Sequence, residues 1–124
     1  MEPLKFFFDT YALVEITKAN PNYNPYAGKV GIILTKLNLM ELHYSLLREV
    51  GKEAADKAYE EFLPFIVEVT DEVIKVANEF KLHNSRLNLS YVDCIGYTIA
   101  RITEIPFLTG DSQFEGIENV EFVR

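Results

Sequence analysis

The chain has 124 residues, 48% of them hydrophobic and 25% charged, which suits one folded domain with a substantial core. Its formal net charge of −7 argues against a protein that grips nucleic acid through a basic surface. The single cysteine, Cys94, excludes an internal disulfide and a cysteine-based metal cluster, and a small core residue is expected there.

No stretch approaches the ~20 apolar residues of a membrane helix. Met1 to Lys5 lacks a basic region followed by a long apolar stretch, so no signal peptide is expected. With one cysteine and no anchor, the expected location is cytoplasmic.

Leu4 to Phe8 is a short apolar, aromatic run that reads as a buried strand. Asp9 or Thr10 then caps a helix over Tyr11 to Lys18. Asn20 to Pro25, with two prolines and three asparagines, reads as a loop. Lys29 to Thr35 reads as a second strand, followed by a helix from about Leu37 to Val50 that Gly51 ends. Lys52 to Leu63 is helical, mixes charges as a solvated face does, and stops near Pro64. Phe65 to Val69 is β-branched and apolar and reads as another strand. Asp71 to His83 is helical, with Val73, Ile74, Ala77 and Phe80 as its buried stripe. After a polar connection, Ser90 starts a helix to about Thr103. Pro106 to Thr109 is a short strand ending in a Gly110-Asp111-Ser112 turn, and Val120 to Val123 is a peripheral strand. Strands alternate with helices throughout, which favours a parallel α/β sheet covered on both faces. Ligands of such sheets bind beyond the carboxyl ends of the strands.

That rule selects among the acids. Asp9 and Asp111 each end a strand, where the bland readings are a helix cap and a turn. Asp93 lies three residues after Ser90, a capping-box spacing. Yet its segment is strongly apolar (Val92, Cys94, Ile95, Tyr97, Ile99), and a carboxylate buried there needs a cation or good donors. Leu39, Leu42, Leu46 and Val50 mark a buried stripe, and Glu41 points roughly opposite, near Arg48. Periodicity therefore predicts a solvated Glu41, and only the wider pattern selects it. Glu15, Glu49, Glu68 and Asp71 stay open as further acids. Carboxylates in such numbers suit Mg²⁺ or Mn²⁺, which prefer oxygen ligands and, once bound, activate water toward phosphodiesters. His43 and His83 lie on different elements without metal spacing. Tyr23, Tyr26 and Tyr44 offer faces to bases, although core packing is the commoner use of tyrosine.

Four segments carry a resemblance: Phe6-Phe7-Phe8-Asp9-Thr10, Asn38-Leu39-Met40-Glu41-Leu42-His43-Tyr44, Leu89-Ser90-Tyr91-Val92-Asp93-Cys94, and Phe107-Leu108-Thr109-Gly110-Asp111-Ser112-Gln113-Phe114. In this order and spacing they resemble the PIN-domain family, in particular its VapC-type toxin ribonucleases. The resemblance covers nearly the whole chain. It implies a single PIN-like nuclease domain over residues 1–124, a three-layer α/β/α fold with a central parallel sheet, and acids converging at one sheet edge. It also implies a Mg²⁺- or Mn²⁺-dependent endoribonuclease that cleaves single-stranded RNA by metal-activated water. Asp9, Glu41, Asp93 and Asp111 become the catalytic and metal-ligand candidates, with Thr109 and Ser112 as possible hydroxyl support. A cognate antitoxin and a homodimer become the expected partners, with no membrane. The chain departs from many relatives at Tyr11, which either narrows the site or packs in the core. The stretch Leu82 to Asn88 adds Arg86 near the Asp93 helix, and an exposed connection is its simpler reading.

Two rivals stand beside this reading. One is a PIN-like RNA- or protein-binding module with weak or lost catalysis. The other is phosphoryl transfer through Asp9. A dehalogenase-like phosphatase would want a second Asp where Tyr11 stands, and a receiver-type domain would want a late-strand Lys that Thr109-Gly110-Asp111 does not offer.

Overall fold

A computed structural model describes residues 4–124. The opening segment Met1 to Lys5 thus falls partly outside the described residues. In chain order the elements are β1 (Lys5–Phe8), α1 (Thr10–Thr17), β2 (Gly31–Ile33), α2 (Lys36–Glu49), α3 (Lys52–Phe62), α4 (Asp71–His83), α5 (Tyr91–Ile102), β3 (Phe107–Thr109) and β4 (Val120–Phe122).

The four strands form one parallel sheet in the order β2-β1-β3-β4. Alternation along β1 divides the core. Phe6 and Phe8 face one side, with Leu108, Leu13, Leu39, Leu42 and Phe62. Phe7 faces the other, with Phe107, Val73, Tyr97 and Phe114. The helices α1, α2 and α3 therefore form one layer, and α4 and α5 the other, which is the expected three-layer α/β/α arrangement. The α5 layer approaches closely because Gly96 has no side chain: a Cβ there would lie 2.7 Å from the Phe7 ring. Cys94 is a buried core residue, as its small apolar character implies.

Local sequence explains most boundaries. Asp71–His83 forms a helix over the expected span, capped by Thr70. Gly51, at φ 138°, takes a conformation that side chains disfavour and turns the chain from α2 into α3. Four expectations are corrected. Phe65 to Val69 is no strand: Leu63–Phe65 forms a 3-10 turn around Pro64, and only Leu34 and Ile66 make a bridge. Asn20 to Pro25 is no irregular loop but a 3-10 helix, Pro21–Tyr26, capped by the Asn20 side chain. Within the predicted stripes, Val50 (63% exposed) and Ile74 (42%) face solvent. The second strand is only Gly31–Ile33, and beyond it Leu34 leaves β1 to bridge Ile66.

The 3-10 helix has a clear structural task. Tyr23 is fully buried and donates its hydroxyl to the Val123 carbonyl at 2.6 Å. Asn22 donates to the Arg124 carbonyl at 2.8 Å, and Tyr26 donates to Glu121. The segment straps the final strand, β4, onto the sheet.

Candidate functional site

The chain runs from β1 to its neighbour β2 on one side, then returns to β3 on the other side of β1. The carboxyl ends of β1 and β3 thus flank the point where strand order reverses, where open α/β sheets bind ligands. Asp9 follows β1 and Thr109 ends β3.

Asp9 stands at the N-cap position of α1, yet its side chain makes no capping hydrogen bond. Its carboxylate instead accepts from the Thr109 hydroxyl at 2.8 Å. Asp9 is only 3% exposed. Burial, reinforced by the Asp93 charge, raises its pKa from the usual 3.8 to about 7 against the opposing hydrogen bonds. The bland reading of Asp9 as a cap therefore fails on geometry.

Glu41 departs from its helical periodicity. It is half-buried, because α2 packs against α1 as well as α3. The Thr10 hydroxyl donates to Glu41 at 2.7 Å. Asn38, fully buried, donates in turn to Thr10 at 3.1 Å, while its amide oxygen accepts from Thr35 at 2.8 and 2.9 Å. Burial also raises the Glu41 pKa, with Asp93 adding to the shift and Thr10 opposing it. Sequence reasoning missed Thr10 and Asn38 as polar support. The spacing Thr35-x-x-Asn38-x-x-Glu41 signals one face of a helix, which was the available clue.

Asp93 forms the capping box that its spacing predicts. It accepts from the Ser90 backbone N–H at 2.9 Å, and Ser90 accepts from its N–H at 3.0 Å. It is half-buried and its pKa is raised, first by burial and further by Asp111, with Ser90 and Lys81 opposing. Asp111 caps the 3-10 turn Ser112–Phe114 by accepting from the Gln113 N–H at 3.0 Å. Thr109 links the two strand ends: its hydroxyl donates to Asp9 and accepts from the Asp111 N–H at 3.1 Å. Ser112 is exposed, and its contribution is a backbone carbonyl that accepts from Glu115.

Mutual charge repulsion thus connects Asp9 to Asp93 and Glu41, Glu41 to Asp93, and Asp93 to Asp111. Among the described residues, no three His, Cys, Asp or Glu side chains form a ready-made ion-holding group. The acids therefore stand as charge-coupled neighbours rather than as a closed ligand shell, a spacing that suits a hard cation which keeps several of its own waters. Carboxylates pushed toward neutrality by burial, and further by their acidic neighbours, are groups whose charge a hard cation would relieve.

The other candidates fall elsewhere. Glu49 pairs with Lys18 at 2.9 Å, and Glu15 accepts from Asn20. Glu68, Asp71 and Arg86 are exposed. His43 contacts Asp56 at 2.7 Å between α2 and α3, and His83 is exposed. Tyr23 belongs to the core and Tyr26 packs against it. Tyr11 packs on the Gly110 backbone, where a Cβ would lie 2.3 Å from its ring. No helix among the described residues is long and apolar enough to cross a membrane.

A family model described as the PIN domain matches residues 6–120. Comparison with curated proteins gave no match. Among solved structures, VapC20 of Mycobacterium tuberculosis, titled a sarcin-ricin loop cleaving toxin, superposes with a TM-score of 0.81 at 21% identity, covering 96% of this chain and 99% of that one. VapBC2 of Rickettsia felis, bound to a promoter DNA fragment, gives 0.71 at 18% identity, covering 98% and 100%. A toxin–antitoxin complex from Klebsiella pneumoniae gives 0.71 at 15%, covering 93% and 94%. At these identities the likeness is one of fold.

Proposed function

The chain belongs to the PIN-domain family, and on that premise we propose that it is a metal-dependent endoribonuclease that cuts single-stranded RNA at the switch-point acids. The observation that carries this reading is Asp9: buried, bonded to Thr109 across the sheet, and raised in pKa by that burial and further by the charges of Asp93 and Glu41. Asp9, Glu41, Asp93 and Asp111 are the proposed ligands of Mg²⁺ or Mn²⁺. Such a cation, when bound, supplies charge compensation for the phosphodiester and a lowered pKa for water.

The chain's own residues prepare the site. Thr109 fixes Asp9, Thr10 fixes Glu41, the Ser90 N–H fixes Asp93, and the Gln113 N–H fixes Asp111. Carboxylates held by donors need little reorganisation when a charged substrate arrives. The fold shared with VapC and VapBC proteins supports the finer reading of a toxin held by a cognate antitoxin; a cytoplasmic location, a homodimer and a single domain over residues 1–124 belong to the same proposal.

A second reading has one observation in its favour. The acids do not stand as a closed ligand group, which suits a PIN-like module that binds RNA or protein with weak catalysis. Asp93→Asn separates the two. The amide keeps an oxygen for the Ser90 cap but loses the charge. If the chain is a nuclease, the variant loses at least about a hundredfold in Mn²⁺-dependent cleavage of single-stranded RNA while its Tm is no lower than that of wild type. Unchanged cleavage would remove Asp93 from the chemistry.

A further inference from the structure

Two exposed tyrosines border the acid cluster, one from each helical layer. Tyr44 follows Glu41 by three residues on α2 and is 62% exposed. With Thr10 and Glu41 it lines a cavity of about 600 Å³. Arg48 lies over its ring, 5.5 Å from the centroid. Tyr91 precedes Asp93 by two residues at the start of α5 and is 66% exposed. Lys81 lies over its ring at 4.9 Å and is anchored by donating to the Leu89 carbonyl at 2.5 Å. Lys81 also reaches Asp93 electrostatically. Each platform therefore combines an exposed ring with a cation over it: Lys81, which Leu89 anchors, and Arg48, which also lies 4.0 Å from Glu49.

A core tyrosine would be covered, as Tyr23 is. The pairing of ring and cation matches a polymer in which every unit carries a flat base and an anionic phosphate. An acidic peptide offers no such alternation of flat ring and anion. We propose that Tyr44 with Arg48, and Tyr91 with Lys81, are base-stacking platforms that hold single-stranded RNA on the two sides of the acid cluster. This rests on the nuclease reading and adds the strand's path to it. It also lessens the charge problem. Two of the chain's 12 Lys and Arg residues stand at the rings, so a protein of net charge −7 still presents cations beside its site.

The test uses the full chain with Mn²⁺ and a short fluorescein-labelled single-stranded RNA of mixed sequence. Tyr44→Ala and Tyr91→Ala should each raise KM about tenfold with kcat nearly unchanged, as loss of one stacked base implies. Tyr44→Phe and Tyr91→Phe keep the ring and should behave as wild type. Both Ala changes are at exposed positions, so thermal melting and gel filtration should match wild type. If wild type cleaves and both Ala variants keep KM within twofold, the platforms are refuted while the nuclease reading stands. An unchanged KM with a shifted oligomeric state assigns the tyrosines to contacts between copies and also refutes the proposal. A wild-type chain that neither binds nor cleaves the RNA overturns both readings.

Discussion

Asp9 concentrates the tension of the site in one carboxyl group. Its pKa in the folded chain, about 7, lies above the usual 3.8. Between those pH values the folded state holds a proton that the unfolded state has released. Stability therefore falls as pH rises from about 4 to about 7, and the penalty is fully present above that range. Glu41 and Asp93 are raised by burial and contribute in the same direction. Asp9→Asn keeps an oxygen for Thr109 and removes the charge. In EDTA at pH 8 it should stabilise the chain by on the order of 2–4 kcal/mol, a gain that shrinks toward pH 4. Denaturant melts at both pH values check this, and an equal effect at both would contradict the burial argument. Thr10→Val tests the neighbouring link, since it removes the hydroxyl that donates to Glu41. It should lower kcat/KM about tenfold, and Thr10→Ser should restore it. If Val and Ser behave alike, the hydroxyl does not position Glu41.

The elements explain why these side chains meet. Asp9 and Thr109 are a hundred residues apart in sequence, yet β1 and β3 are neighbours. Gly110 lets the turn after β3 pass between Tyr11 and the Val123 carbonyl, where a Cβ would stand 2.3 Å from each. Gly110→Ala should therefore cost about 1–3 kcal/mol in denaturant unfolding, an overpacking effect. A neutral result would show that Tyr11 and β4 yield easily. The central strands and the Ser90 cap were legible in sequence because each has a local signature. Phe6-Phe7-Phe8 is apolar on both faces, and Ser90 and Asp93 stand at capping spacing. Asp9 and Asp111 were legible for the same reason, as acids at strand ends. What stayed hidden was tertiary. Glu41 is half-buried by α1, a helix its own periodicity cannot register. The 3-10 helix Pro21–Tyr26 is fixed by Tyr23 reaching Val123, a partner a hundred residues away. Phe65 to Val69 has strand composition but gains a single bridge beside an edge strand.

At the scale of the molecule, the fold gathers acids at one edge of an already acidic chain. Without a divalent cation, the site repels the phosphates of any nucleic acid. In the proposed function a divalent cation would have two tasks: to relieve the buried carboxylates and to permit the encounter with RNA. The most direct test is to follow cleavage of an end-labelled single-stranded RNA by wild type and Asp93→Asn, each with Mn²⁺ and with EDTA. Specific cuts are expected only for wild type with Mn²⁺. Cleavage that persists in EDTA, or that Asp93→Asn retains in full, would contradict the assignment of a metal-dependent nuclease site to these acids.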